Sequence, residues 1–352
     1  MHDIKKLFKN DKTGLVDSFC TIPWTDLLIN DKGLMFPCGC EGWLKESIGN
    51  ILDINSIDDF LSIFDNNIIQ NSILNKSYTL CNAHKCIFLQ DSILSNITPH
   101  NFVTKKEDLS KLKLKKLWLQ IDESCNLQCP TCRDIAIIHK NNKKTETIKS
   151  IIEKVEKFII QSCNEKLTIR LVGNGELFAS NTLLPWFLNF DFIKYPNVYF
   201  DIHTNATLLA RHEDYLCSIA HKLEWIEIST DAANAETYVK VRKGGDWNDF
   251  LKGMETIKKL KTINEKINTN NSFVVNSENY KDIPEFIKFA KYYDSRVTLY
   301  QVLRWSMSEE KFNKLNIFSP THPEYINFNN LLKTIDFKDK EISTTIYSVK
   351  IN

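Results

Sequence analysis

The stretch "CNLQCPTC", Cys125 to Cys132, places three of the chain's ten cysteines within eight residues. It directly follows "KLWLQID" (116–122), a short apolar run that reads as a β-strand. Thiolates so close together hold metal: zinc in sets of four, or in threes with one histidine, and iron–sulfur clusters. A structural zinc ion closes its ligand shell, and His139 would be the fourth ligand of such a site. A four-iron cluster on three thiols instead leaves one iron open for a further ligand.

Outward from the triplet, short apolar strands alternate with amphipathic helices. The pattern predicts strands at 116–122, 167–173, 198–204, 223–229, 271–276 and 296–303. Helices are predicted near 146–161, 180–189, 206–220, 246–263 and 281–292. This alternation argues for an α/β fold with a parallel sheet and right-handed crossovers. Such sheets bind ligands beyond the carboxyl ends of their strands, where the triplet lies. Upstream, residues 13–100 are irregular and carry cysteines. "WTDLLIN-DKG-LMFPC" predicts a hairpin with strands Trp24–Asn30 and Leu34–Cys38 about Gly33. "NSIDDFLSIFDNNI" predicts a helix capped near Asn55 or Ser56. In the tail, "HPEYINFNNLLKTI" reads as one helix, and residues 335–352 carry no functional signal.

Apolar residues make up 43% and charged residues 25%, proportions of a soluble globular chain. A net charge of +1 argues against nucleic acid as a partner. The basic run "KLKLKK" (111–116) reads as a solvated approach to a strand. No apolar stretch reaches the roughly eighteen residues of a membrane span. "MHDIKKLFKN" lacks the apolar core of a secretory signal. A cytoplasmic location and no membrane partner are therefore expected. In a reducing cytosol, cysteines read as ligands or catalytic groups rather than as disulfides. Isolated Cys163 and Cys217 read as buried structural thiols.

The C-x3-C-x2-C spacing and the strand order from Leu114 to about Trp305 resemble the radical S-adenosylmethionine (radical SAM) superfamily. The resemblance implies a partial (β/α)6 TIM-like barrel with a [4Fe-4S] cluster on Cys125, Cys129 and Cys132. It also implies S-adenosylmethionine on the open iron, cleaved by one electron to a 5′-deoxyadenosyl radical that abstracts hydrogen. "GNGE", Gly173 to Glu176, is similar to the family's Gly-Gly-Glu motif. That match gives Gly173 and Gly175 close backbone approach and Glu176 the SAM ammonium. "HTNATLL" resembles T-N-G-T-L-L, with Asn205 lining the pocket and Ala206 in the glycine position, where a positive φ is disfavoured. "ISTDAANAETYVKVRKGG" resembles I-S-I-D-G…E-T-Y…I-R-G-G, with Ala232 again replacing glycine. By that match Ser229 hydrogen-bonds SAM and Arg242 pairs with its carboxylate. Thr131 stands where the family often has an aromatic residue that offers backbone to the adenine. Asn276 and Gln301 are further pocket candidates at strand ends.

Cys20, then twelve residues, Gly33, four residues and Cys38 resemble the opening of the SPASM and twitch auxiliary-cluster modules. The resemblance implies an auxiliary [4Fe-4S] cluster on Cys20, Cys38, Cys81 and Cys86, with Cys40 spare; zinc on the same four thiols is the alternative. The expected organisation is an auxiliary module at 1–112, the barrel at 113–310 and a C-terminal helix and tail at 311–352. The expected activity is that of a radical SAM oxidoreductase or maturase acting on a peptide or protein side chain. The auxiliary cluster would assist oxidation, and a flavodoxin- or ferredoxin-type protein would supply electrons. Alternatives are a dehydrogenase or epimerase of a sugar-like small molecule, with Cys40 as catalytic hydrogen donor, and a non-catalytic zinc-stapled binding protein.

Overall fold

The structure, a computed structural model, describes residues 19–82, 85–86, 102–171, 174–304 and 307–346. The N-terminal decapeptide, Gly173, Trp305 and the last six residues lie outside these. Two compact units emerge. The first comprises Met1–Asp122, Lys140–Asn174 and Asn189–Tyr199; the second comprises Glu123–His139, Gly175–Leu188 and Phe200–Asn352.

In the first unit, strands β1 (Asp26–Asn30) and β2 (Leu34–Phe36) form the expected hairpin. Gly33 takes φ +82°, and a Cβ there would lie 2.4 Å from Asn50 Oδ1, so the turn requires glycine twice over. The first strand is shorter than expected because Ile22–Thr25 forms one helical turn with Pro23 in its first positions, where the fixed proline φ suits a helix. Helix α1 (Ile57–Asp65) is capped by Ser56, whose side chain accepts the Asp59 N–H at 3.1 Å; α2 (Ile68–Leu74) follows. β1 pairs in parallel with β3 (Lys116–Gln120), and β3 pairs in parallel with β4 (Leu167–Leu171). The cysteine-bearing segment thus contributes a strand beside the one that leads into the triplet. Helix α3 (Lys143–Val155), capped by Asn142, ends in a π-helical turn at Glu156–Ile160.

In the second unit, β5 (Val198–Thr204, from Phe200 on), β6 (Leu223–Ser229), β7 (Asn268–Val275), β8 (Arg296–Gln301) and β9 (Ile342–Thr344) pair in that order, all in parallel. The helices of this unit are α4 (Leu183–Leu188), α5 (Glu213–Ser218), α6 (Ala235–Val241), α7 (Trp247–Ile263), α8 (Ile283–Tyr292), α9 (Glu309–Leu315) and α10 (Tyr325–Leu332). Phe273, Val275, Val297 and Leu299 pack against Ile283, Phe286 and Ala290 of α8 and Phe328 of α10, all fully buried. Each such side chain contributes roughly 1.5–3 kcal/mol by leaving water.

Strand side chains alternate, so the face of β5–β8 away from these helices carries His203, Glu227, Ser229, Asn270, Ser272 and Thr298. These polar groups satisfy one another: Asn270 Nδ2 donates to Glu227 Oε1 at 2.7 Å, Thr298 Oγ1 to Asn270 Oδ1 at 3.1 Å, and His203 Nε2 lies 3.0 Å from Ser229 Oγ. The α/β pattern with parallel strands is consistent with the partial barrel expected. Helices α6 and α9 and strand β9 were not expected.

Candidate functional site

The triplet loop, which leaves β3, belongs to the second unit. An antiparallel bridge closes it, with the Cys125 N–H donating to Ile137 O at 2.6 Å. The Gln128 N–H anchors its middle on Lys243 O at 2.9 Å. Cys129 is buried, Cys125 and Thr131 are half-buried, and Cys132 is exposed. The Leu127 N–H points at Cys125 Sγ at 3.4 Å, a common way to hold a thiolate. Burial pushes the Cys125 thiol up to about 11.

Glu176 follows half-buried Gly175 and is itself 3% exposed. Its Oε1 accepts from Thr204 Oγ1 at 2.8 Å and from the Phe178 N–H at 3.2 Å, and its Oε2 from the Asn205 N–H at 2.6 Å. Burial nevertheless raises its carboxyl to about 7, against those three donors. Asn205 ties this carboxylate to the cysteine loop. Its Nδ2 donates to Asn126 Oδ1 at 3.0 Å, Asn126 Nδ2 donates to Thr207 Oγ1 at 2.9 Å, and Thr207 Oγ1 donates to Asn205 Oδ1 at 2.7 Å.

Ala206 takes φ +63°, the backbone that its side chain was expected to disfavour. Two features hold it there. Thr204 Oγ1 accepts the Ala206 N–H at 2.9 Å, and Gly253 of α7 lets the Ala206 carbonyl approach so closely that a Cβ on Gly253 would stand 2.1 Å from it. In the next motif Asp231, rather than Ala232, takes the positive φ, +58°.

Arg242 ends α6 with its side chain 12% exposed. Its Nη2 lies 2.9 Å from Asp231 Oδ2 and its Nη1 lies 3.6 Å from Cys129 Sγ, while its Nε and the buried Tyr238 Oη have no hydrogen-bond partner among the described residues. Ser229 meets His203 on the polar sheet face. Asn276 serves a turn, where its Oδ1 accepts the Glu278 N–H at 2.9 Å. Gln301 donates its backbone N–H to Thr345 Oγ1 at 3.3 Å. His139 lies 3.4 Å from Glu123 Oε2.

In the first unit, Cys20, Cys38, Cys81 and Cys86 line one small cavity, walled by Trp43, Leu44, Tyr78 and Phe102. Cys20 reaches it from a two-residue antiparallel ladder with Phe102, and Cys38 from just beyond β2. Cys81 is bridged to Leu44. The Cys86 N–H turns back to Asn82 O at 2.8 Å, which accommodates four residues between the last two cysteines. Burial raises the thiols of Cys20, Cys38 and Cys81, the last to about 12. Cys40 does not line the cavity; it opens the short turn Glu41–Trp43 and is half-buried.

Thiolates on one zinc ion stand under about 4 Å apart, given Zn–S bonds of about 2.3 Å. Among the described residues no three Cys, His, Asp or Glu side chains converge as a site for one metal ion. The unpartnered Arg242 Nε and the buried Glu176 carboxylate are complementary to an anionic and a cationic group respectively, as an amino acid bound beside the thiols would supply. Sequence reasoning missed Asn126, Thr207, Asp231, Tyr238 and Gly253. Asn126, Thr207, Asp231 and Tyr238 lay within the quoted motifs, whereas nothing in the sequence pointed to Gly253.

Residues 120–290 match the family model of the radical SAM superfamily. A GTP 3',8-cyclase of Alkaliphilus oremlandii (strain OhILAs) is 26% identical over 186 residues, 52% of this chain and 54% of that protein. An S-adenosylmethionine-dependent nucleotide dehydratase of Fibrobacter sp. (strain UWH6) is 23% identical over 172 residues, 46% of this chain and 48% of that protein. The chain thus spans about half the length of these curated relatives. A solved structure of tagged anSMEcpe with bound AdoMet is 20% identical, with a TM-score of 0.40 over 57% of this chain and 53% of that one. No helix among the described residues is long and apolar enough to cross a membrane. The similarity to the radical SAM superfamily thus extends over residues 120–290, just under half of the chain.

Proposed function

We propose that the chain is an enzyme whose three thiols, Cys125, Cys129 and Cys132, hold the cluster at which S-adenosylmethionine is cleaved to a hydrogen-abstracting radical. The observation that carries this reading is the meeting, in one unit, of the Cys125 and Cys129 thiols with a buried carboxylate and a largely enclosed guanidinium. When bound, the cluster and S-adenosylmethionine supply the one-electron chemistry; the chain supplies position and dryness. Glu176 accepts the ammonium of the cofactor, and Gly175 leaves room for it. Asn205 locks the cysteine loop to Glu176. Ser229 and the backbone of Thr131 complete the cofactor's contacts, and Arg242 faces its carboxylate through Nε.

Residues 1–112 act as an auxiliary module in which Cys20, Cys38, Cys81 and Cys86 hold a second four-iron cluster, and 113–310 form the catalytic barrel. Four thiols on one apolar cavity support this, and Cys40 stays outside the ligand set. All four positions being cysteine suits an electron acceptor more than a substrate ligand. The substrate is a peptide or protein side chain, the net change an oxidation, and the electron donor a flavodoxin- or ferredoxin-type protein in the cytoplasm. A small polar substrate is the second reading. Both curated relatives carry names of nucleotide chemistry, and the sheet face of His203, Glu227, Ser229, Asn270 and Thr298 is polar. Under that reading Cys40 is the candidate hydrogen donor of an epimerase.

Anaerobically reconstituted protein is expected to be brown, with about eight irons per chain, and to release 5′-deoxyadenosine from S-adenosylmethionine under dithionite. Replacing Cys125, Cys129 and Cys132 by alanine should abolish that release; its survival, or a colourless zinc protein, would contradict the proposal. Coupled turnover with peptide or low-mass fractions of a cell extract in D2O separates the two substrate readings.

A further inference from the structure

We infer that Arg242 and Asp231 form a charge relay around the sulfur of Cys129 that sets how readily the cluster accepts its electron. The inference rests on the reading of Cys125, Cys129 and Cys132 as cluster ligands. Arg242 is expected to grip the carboxylate of S-adenosylmethionine, yet its terminal nitrogens are otherwise engaged. Nη1 points at Cys129 Sγ at 3.6 Å, and Nη2 is held by Asp231 Oδ2 at 2.9 Å. Nε alone remains for another group.

The arrangement is built rather than incidental. The Arg242 N–H bonds to Tyr238 O at 2.7 Å, closing α6. Gly245 leaves no room for a side chain: a Cβ there would stand 3.0 Å from both Arg242 O and the Tyr238 ring. Asp231 is fixed from β7, where the Val274 N–H donates to its Oδ1 at 2.6 Å, and its own carbonyl accepts from Asn279 Nδ2 at 3.0 Å. These bonds hold it at a left-handed φ of +58°, which aspartate tolerates better than most residues but still adopts at a cost. Asp231 and Cys129 are buried and the Arg242 side chain is only 12% exposed, so water screens these charges weakly.

A cationic donor on a ligand sulfur stabilises the extra electron of the reduced cluster, and hydrogen bonds to cluster sulfurs are among the determinants of potential. Asp231 opposes that effect and aims the guanidinium. The two residues should therefore act with opposite signs. Arg242 contacts the ligand sulfur itself; Asp231 acts through Arg242 as a positioning residue. Arg133 offers a comparison. Its partner, Cys132, is exposed and Arg133 is half-buried, so solvent damps its field.

The test is a potentiometric titration without S-adenosylmethionine, followed by electron paramagnetic resonance. The cluster is identified by the signal that later addition of S-adenosylmethionine perturbs. Arg242→Gln should move its midpoint to more negative potential, and Asp231→Asn, which keeps an oxygen for the Val274 N–H, to more positive potential. Arg242→Lys should fall between wild type and Arg242→Gln, because one ammonium cannot span both contacts. Arg133→Gln should shift the midpoint less than Arg242→Gln. Unchanged midpoints, or shifts of one sign in both Arg242→Gln and Asp231→Asn, would overturn the inference. So would an Arg242→Gln protein altered only in its affinity for S-adenosylmethionine. Wild-type protein that binds no iron would instead defeat the proposed function.

Discussion

Glu176 is a carboxyl under electrostatic tension. Its carboxyl is raised from 4.5 to about 7 because burial removes water from the charged form, and three hydrogen-bond donors offset that only in part. A folded value above the unfolded one means that the protonated form favours the native state. This contribution is complete below about pH 4.5 and is lost as pH rises through about 7. Cofactor-free protein should accordingly lose roughly 3 kcal/mol between those limits, since each pH unit separating the folded and unfolded values is worth about 1.4 kcal/mol. Glu176→Gln should flatten the curve, as read from urea midpoints at several pH values. The same change should weaken S-adenosylmethionine binding by about tenfold to a hundredfold, because a charged hydrogen bond of about 1.5–3 kcal/mol is lost; equilibrium binding to reconstituted protein measures it. An unchanged affinity would remove Glu176 from the cofactor's contacts.

At the scale of elements, the join between β5 and α7 decides whether the Asn205 clamp forms. Ala206 sits in left-handed backbone, which costs an L-residue roughly 1–2 kcal/mol. Ala206→Gly should therefore raise the thermal midpoint with the site intact. Gly253→Ala should do the reverse, since its Cβ would overlap the Ala206 carbonyl and force α7 away; calorimetry of both variants compares the signs. Local pattern was informative for some elements and misleading for others. β5 and β6 keep their predicted limits because apolar residues alternate along them. β7 begins at Asn268, three residues earlier than its composition suggests, because Asn270 is satisfied across the sheet by Glu227 and Thr298, and Asn271 Oδ1 accepts from Thr230 Oγ1. An asparagine run reads as a loop until its partners on neighbouring strands are known. Trp24 was drawn into a helical turn by Pro23 although it sits in an apolar run.

At the scale of the molecule, the four cysteines of the first unit offer a separate prediction. Replacing Cys20, Cys38, Cys81 and Cys86 by alanine should halve the iron to about four per chain. It should leave substrate-free release of 5′-deoxyadenosine in place. The thermal midpoint should fall, because metal binding supplies folding free energy to a loop-rich segment. Iron analysis, product assay and a melting curve on one preparation check all three.

The three thiols after the first strand, the motif that contains Glu176 and the alternation of strands and helices are legible in the chain without any coordinates. Those features follow from spacing and periodicity within a few dozen residues. Only the tertiary structure decided which distant groups meet. It joined β1 to β3 across some ninety residues of chain, gathered four cysteines round one cavity and left Cys40 out of it, and turned Arg242 toward Cys129 under the hold of Asp231. Such meetings depend on strand register, on burial and on the room left by single glycines. None of these is a property of a short window of sequence.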